Sequence, residues 1–343
     1  VRISEETIRL LAQTVLSDFS KRSRIAVTLT VYGLEELPDT SCLSLTPTLY
    51  SECDVQGQSE QMRYYAATPA ERARSWVLDQ MENDTWFSFD YGGAPYAEHI
   101  GSWAKSITET EDGWTLSYTK DDLTAWSEIV LDEETACVEW TNYFKNCSTS
   151  KFLQISNIQA INSAVFVENP QLTTAEGANN NTTDFQPIHV DLTQEPNYSM
   201  ASTGGRSSQG AFPYFEIHNG NYGVMGGIGW TGNWKADFEN ADGTVSIVAG
   251  MQNVNTYLKK NEQMRTPMIM MMFYEGDQQD GHNAFRTVIQ KRYTPVDESG
   301  KPITEVPVFV GINAANGESD LISQMQTLEQ KGRYFDGLWI DAT

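Results

Sequence analysis

Basic residues are scarce in this chain: 23 Lys and Arg stand against 46 Asp and Glu among 343 residues, for a formal net charge of −23. A surface of that sign repels nucleic-acid phosphates and anionic lipid headgroups, so neither is an expected partner, whereas a neutral carbohydrate is compatible with it. Long apolar runs are missing as well. Pro267 to Tyr274 (PMIMMMFY) is the longest and has strand length, far short of the ~20 residues that cross a bilayer, so a soluble protein is expected. The four cysteines, Cys42, Cys53, Cys137 and Cys147, have neither CxxC spacing nor the density of a disulfide scaffold. Only four histidines exist, His99, His189, His218 and His282, and no two are spaced as zinc ligands; neither a metal nor another cofactor is expected. The opening VRISEET lacks the charged and apolar regions of a signal peptide. Asn-x-Ser/Thr triplets at Asn83, Asn146, Asn180, Asn181 and Asn197 matter only in a glycosylating compartment, so the location stays open between cytoplasmic and secreted.

What is present reads mainly as β. Ser4 to Phe19 has helical spacing, with Ser4 as N-cap and Ile8, Leu11, Val15 and Phe19 on one stripe, and it is the one clear helix before the strands. Ile25–Val31, Trp86–Tyr91, Gly113–Tyr118, Trp126–Leu131, Ala136–Phe144 and Phe152–Ile161 are then β-branched or aromatic runs bounded by turn residues. Many strands at short spacing argue for stacked antiparallel sheets. Glu176 to Tyr198, rich in Asn, Thr and Pro, reads as an exposed loop. Strands resume over Val245–Met251, Asn253–Leu258 and up to Tyr274, where Met268 and Met270 to Met272 face alternate sides and are assigned to packing between sheets rather than to a metal. Helical spacing returns over Ala284–Arg292, and Thr294–Pro307 is a Pro/Gly/charged linker. Beyond it, Val308–Ile312, Ser319–Gln330 and Phe335–Ile340 read as strand, helix, strand, the opening of a parallel unit.

The most distinctive stretch is Ser202 to Trp234, STGGRSSQGAFPYFEIHNGNYGVMGGIGWTGNW. Two runs, Pro213–Ile217 and Tyr222–Trp230, flank His218-Asn219-Gly220-Asn221, a turn of the kind that closes a hairpin. Trp230 and Trp234 follow around a Gly-Asn pair. Each indole carries an apolar face and one N–H donor, so the pair either stacks on a sugar ring or seals the seam between sheets. Gly204-Gly205-Arg206-Ser207-Ser208 lacks phosphate-loop spacing, and Arg206 is expected to pair structurally with an acidic neighbour or at an interface. Glu139, beside Trp140 in a period-two run, is expected to be an ordinary exposed carboxylate rather than a catalytic acid.

That stretch, with Trp86-Phe87-Ser88-Phe89-Asp90-Tyr91-Gly92-Gly93, Val138-Glu139-Trp140, Arg265-Thr266-Pro267 and His282-Asn283-Ala284-Phe285-Arg286, resembles glycoside hydrolase family 36 and related α-galactosidase-like proteins from about Trp86 to Thr343. The resemblance implies an antiparallel β-supersandwich of the galactose mutarotase type over residues 1–300. Residues 301–343 would then be a linker and the first β-α-β unit of a (β/α)8 barrel. Both catalytic aspartates of the family lie on later barrel strands, without counterparts in this sequence. No catalytic residue is therefore assigned, and the chain is expected not to hydrolyse a glycoside. Leu338-Trp339-Ile340-Asp341 resembles the second barrel strand, which implies that Asp341 binds sugar hydroxyls. Ile312-Asn313-Ala314-Ala315-Asn316-Gly317 departs from the family, which carries an aromatic residue near the sugar there.

The implied partners are an α-galactoside-like carbohydrate and further copies of the chain. The implied role is non-catalytic: support of the barrel and of oligomer contacts. One alternative is a stand-alone carbohydrate-binding protein with Trp230 and Trp234 as its substrate-binding platform. A mutarotase-like enzyme ranks last, since its chemistry needs a His and a carboxylate as acid and base and no histidine here lies in a recognisable motif.

Overall fold

The structure, a computed structural model, describes residues 68–303, 305, 307–313, 317–332 and 335–341. The expected helix Ser4–Phe19, the strand Ile25–Val31, Cys42 and Cys53 lie outside the described residues.

The described chain begins with a helix that the sequence reading missed, α1 (Pro69–Glu82). Its start is written in Thr68-Pro69-Ala70-Glu71: the Thr68 hydroxyl accepts from the Glu71 N–H, and the Glu71 carboxylate accepts from the Thr68 N–H, while Pro69 at the first helical position needs no N–H partner. The chain continues through β1 (Ser88–Tyr91), the short α2 (Tyr96–His99), β2 (Ala104–Glu109), β3 (Gly113–Lys120), β4 (Leu123–Asp132), β5 (Cys137–Asn146) and β6 (Leu153–Phe166). Next come β7 (Gln171–Ala175), β8 (Pro187–Asp191), β9 (Asn197–Ala201), β10 (Tyr214–His218) and β11 (Tyr222–Gly229). The antiparallel part closes with β12 (Trp234–Ala241), β13 (Thr244–Met251), β14 (Asn255–Leu258) and β15 (Gln263–Glu275). Helix α3 (Gln278–Tyr293) then leads towards β16 (Phe309–Asn313), α4 (Glu318–Gln330) and β17 (Gly337–Asp341).

Two antiparallel sheets stack on one another. One runs β1-β6-β13-β12-β9 with β14 also on β6; the other has nine strands, β2-β3-β4-β5-β15-β11-β10-β7-β8. Alternation sends Val138, Trp140, Asn142 and Phe144 of β5, with Ile269, Met271 and Phe273 of β15, into the seam between the sheets. Trp86 and Trp140 meet there at 4.5 Å between ring centroids, and Trp76 of α1 packs 5.1 Å from Trp86. These three indole N–H groups have acceptors: Trp86 donates to Ser127 Oγ, Trp140 to the Ala160 carbonyl and Trp76 to the Ala164 carbonyl. Arg72 of α1 donates to the Tyr274 carbonyl of the nine-stranded sheet, so this helix ties both sheets together.

The segment Glu176–Tyr198, expected to be a loop throughout, contributes β8 and the start of β9. In β8 only Val190 is buried, because it is an edge strand with neighbours on one side; the polar composition hid it. The hairpin β10–β11 forms as expected, with Gly220 at φ +87 in its turn. Its glycines answer to packing: a Cβ at Gly226 would stand 2.0 Å from Phe215 Cζ. After the linker, β16 and β17 pair in parallel, from Phe309 opposite Gly337 to Asn313 opposite Asp341.

Candidate functional site

Polar chemistry is concentrated on the face of the nine-stranded sheet turned away from the seam. Residues of one alternation, Met270, Met272 and Tyr274 of β15, Met225 of β11 and Cys137 of β5, form an apolar patch there. Helix α3 covers it with Val288, Ala284, Phe285 and Ile289. The methionines therefore divide between two layers: Met271 fills the seam and Met270 and Met272 seat the helix. Burial, with Glu139 nearby, pushes the Cys137 thiol up to about 12, so it is an inert packing group.

At the start of α3 the sheet supplies a buried carboxylate. Glu216 of β10 is 1 % exposed, and its Oε1 accepts from the Tyr274 hydroxyl at 2.6 Å. Its Oε2 accepts from Gln278 Nε2 at 2.8 Å and lies 3.2 Å from His282 Nε2, both on α3. Gln278 also donates to Thr173 Oγ1 of β7, which lies 3.0 Å from His189 Nδ1 of β8 and 3.4 Å from His218 Nε2 of β10. Three of the four histidines thus belong to one network, His282 through Glu216 and His189 and His218 through Thr173. Burial lowers the pKa of His218; Glu216 opposes that, and His189 and His282 reinforce it. Burial first, and the bond to Glu216 second, hold the Tyr274 phenol far above its ordinary range, so it remains a donor. Among the described residues no group of three or more His, Cys, Asp or Glu is arranged to hold a metal.

A buried carboxylate bonded to a half-exposed imidazole has the makings of an acid–base pair. Here both carboxylate oxygens are already occupied by Tyr274, Gln278 and His282, so the arrangement chiefly fastens α3 to the sheet. None of these residues was assigned to a site from the sequence, although His218 and His282 stood in quoted motifs. The signals were present: Glu216 and His218 are two apart on a strand, and Gln278 and His282 four apart on a helix.

The far end of α3 is fastened by charge. Arg292 pairs with Glu139 and, at 3.5 Å, with Asp132; Tyr293 donates to Glu139, and Lys291 pairs with Glu134. Glu139 is therefore not the exposed carboxylate expected of it. Its side chain is 12 % exposed and serves as the anchor of the helix C-terminus.

The sequence candidates are scattered. Trp234 is fully buried, its indole donating to the Ser207 carbonyl at 2.7 Å and its backbone N–H to Ser202 Oγ, so it has no ring face to offer a sugar. The two-indole platform is corrected on this point: Trp234 begins β12 and packs inward. Trp230 is half-buried, with the Arg265 guanidinium 5.9 Å from its ring centroid. Arg265 sits across from Tyr143, which stacks on Trp126 at 5.1 Å and 16°. Trp230, just past the end of β11, thus ends a row of planar groups that crosses β4, β5 and β15. Arg206 is exposed and has no ion pair among the described residues, so of its two expected roles the pairing with an acidic neighbour is not formed there. Asp341 ends β17 in register with Asn313 at the end of β16, so the C-terminal ends of the two parallel strands coincide. A cavity of about 360 Å³ lies beside α4, lined by Ile322, Met325, Gln326, Glu329 and Phe335.

No protein-family model matches the chain, and no curated protein matches its sequence. Solved structures do. The α-galactosidases AgaA and AgaB of glycoside hydrolase family 36 from Geobacillus stearothermophilus are similar over 75 % of this chain, each with a TM-score of 0.53 and with 13 % and 14 % identity respectively. An AgaA variant in complex with stachyose matches with a TM-score of 0.51 and 12 % identity over the same share. The match covers 39 % of each of those chains, so this chain spans about two-fifths of their length. At such identity the likeness is one of fold.

Proposed function

We propose that this chain is the N-terminal, non-catalytic region of an α-galactosidase-type glycoside hydrolase. Residues 1–300 form its sandwich side and residues 301–343 open a (β/α)8 barrel. The observation that supports this reading is the order of parts: two stacked antiparallel sheets, a helix pinned across one of them, then a parallel β-α-β unit. Retaining glycosidases use two carboxyl groups roughly 5 Å apart. The described strand ends of the β-α-β unit set Asn313 in register with Asp341. Asp341 accepts hydrogen bonds from a sugar hydroxyl at the C-terminal end of its strand. The ligand is a neutral α-galactoside, matching the acidic surface, and the sandwich supports the barrel and contacts between copies.

Two assays on the chain test this. Incubated with an aryl α-galactoside, it is expected to release no aryl product above the buffer blank; turnover that Asp341→Asn abolishes overturns the non-catalytic role. Titration with raffinose, followed by NMR, is expected to show weak saturable binding that falls about tenfold in Asp341→Asn, the loss of roughly 1.4 kcal/mol of hydrogen bonding to a charged group. Binding that is lost in Trp230→Ala and indifferent to Asp341→Asn would instead favour the stand-alone carbohydrate-binding reading.

A further inference from the structure

The nine-stranded sheet ends, at β2, in an edge unlike its other strands. All six residues Ala104–Glu109 are exposed, and only β3 pairs with β2 among the described strands. The strand has no proline, its pairing with β3 has no bulge, and among the described residues no helix covers this edge. Such an edge is a template for another strand unless something blunts it.

The register shows which groups it presents. The Thr110 N–H donates to the Gly113 carbonyl at the hairpin turn, so Thr110 and Gly113 are a hydrogen-bonded pair. Antiparallel pairs alternate between bonded and non-bonded, so Thr108, Ser106 and Ala104 bond to β3 while Glu109, Ile107 and Lys105 direct their N–H and C=O groups outwards. Lysine is a usual guard of such an edge. Here Lys105 is folded back: its ammonium lies 2.6 Å from Asp84 Oδ1 and donates to the Glu82 carbonyl at 2.8 Å.

We propose that β2 is a self-association edge, where a second copy of this chain pairs antiparallel across a two-fold axis through Ile107. The outward groups select this register. Ile107 meets Ile107 of the second copy, and Lys105 meets Glu109 of the second copy on either side, each pair exchanging both backbone hydrogen bonds. The same register matches charge and side-chain character: Lys105, Ile107 and Glu109 share one face, so each ammonium faces a carboxylate and the two isoleucines touch at the axis. Lys105 has three donors, enough for Asp84 and for the incoming Glu109. A charged extended peptide of another protein would lack this self-complementarity. The contact is small, below the roughly 1,000 Å² of a stable interface, so the dimer is weak and concentration-dependent. The proposal names the surface for the contacts between copies in the functional reading above, and its failure leaves the sugar assays untouched.

Sedimentation velocity over a concentration series tests it, with amide hydrogen exchange on the same samples. The expected result is a reversible monomer–dimer equilibrium in which the amides of Lys105, Ile107 and Glu109 gain protection as the dimer forms. Ile107→Pro removes only an outward N–H and leaves the bonds to β3 in place. It is expected to weaken the dimer at least about tenfold, as is Glu109→Lys, which sets two cations opposite each other, through loss of hydrogen bonds and charge pairing. If Ile107→Pro does not fold, Glu109→Lys carries the test. A chain that stays monomeric throughout the series overturns the proposal. So does a dimer that survives in the folded variants, or one whose protected amides lie elsewhere.

Discussion

At the scale of single residues, the buried polar groups set the sharpest expectations. Tyr274→Phe deletes the donor to Glu216 and leaves one oxygen of a buried carboxylate unpaired, a cost of about 1–3 kcal/mol that a urea unfolding curve would measure. His99 and His218 both have their pKa lowered by burial, and each has a buried Nδ1 without a partner. The unfolded chain, with histidine near 6.5, therefore binds these protons before the folded one. Their contribution to stability is complete above about pH 6.5 and is lost as pH falls towards the lowered folded values. The unfolding temperature is expected to drop between pH 7 and 5, and His218→Gln to flatten part of that slope; an unchanged profile would contradict the burial of His218. The residues of the Glu216 centre were present in the sequence but not legible as a group. They come from β7, β8, β10, β15 and α3, which sequence distance separates and the sheet register assembles.

Elements differed in how openly the sequence announced them. The β10–β11 hairpin was plain, because an Asn/Gly turn between two apolar runs acts locally. Helix α1 carried an equally local signal in Thr68-Pro69-Ala70-Glu71, masked by the aromatic and β-rich text around it. Thr68→Ala is expected to remove its capping box and cost about 1 kcal/mol, visible as a lower thermal midpoint with unchanged sheet content by circular dichroism. Edge strands β2 and β8 were missed for another reason. A strand with exposed faces lacks the alternation by which strands are recognised, and only its pairing partner reveals it. Helix α3 shows an element whose tertiary bonds outweigh its own propensity: Glu216 grips one end, Glu139 and Asp132 the other, and the methionine patch the middle.

On the scale of the whole molecule, the β-α-β unit stands apart energetically from the sandwich. Among the described residues its hydrogen bonds are internal, as in the exchange between Val308 and Asp336, and Phe309, Ile322, Met325 and Trp339 keep much of their surface exposed. Removal of residues 309–343 is therefore expected to move the thermal midpoint of the remaining chain by no more than a few degrees, whereas Trp140→Ala, at the centre of the seam, should cost about 3–5 kcal/mol. Calorimetry of the two variants would check the contrast. The sequence by itself determined the β architecture, the change of period after the linker and the acidic surface, because alternation, turn chemistry and charge are properties of neighbouring residues. Tertiary structure alone decided that Trp234 is buried while Trp230 remains half-exposed, that Glu139 is an anchor, and that Gln278 joins Glu216, with His282, to Thr173, with His189 and His218. The reason is physical: which side of a strand faces the core, and which distant side chain stands opposite, follow from sheet order and register, and nine strands in the order β2-β3-β4-β5-β15-β11-β10-β7-β8 bring together residues that no local spacing relates.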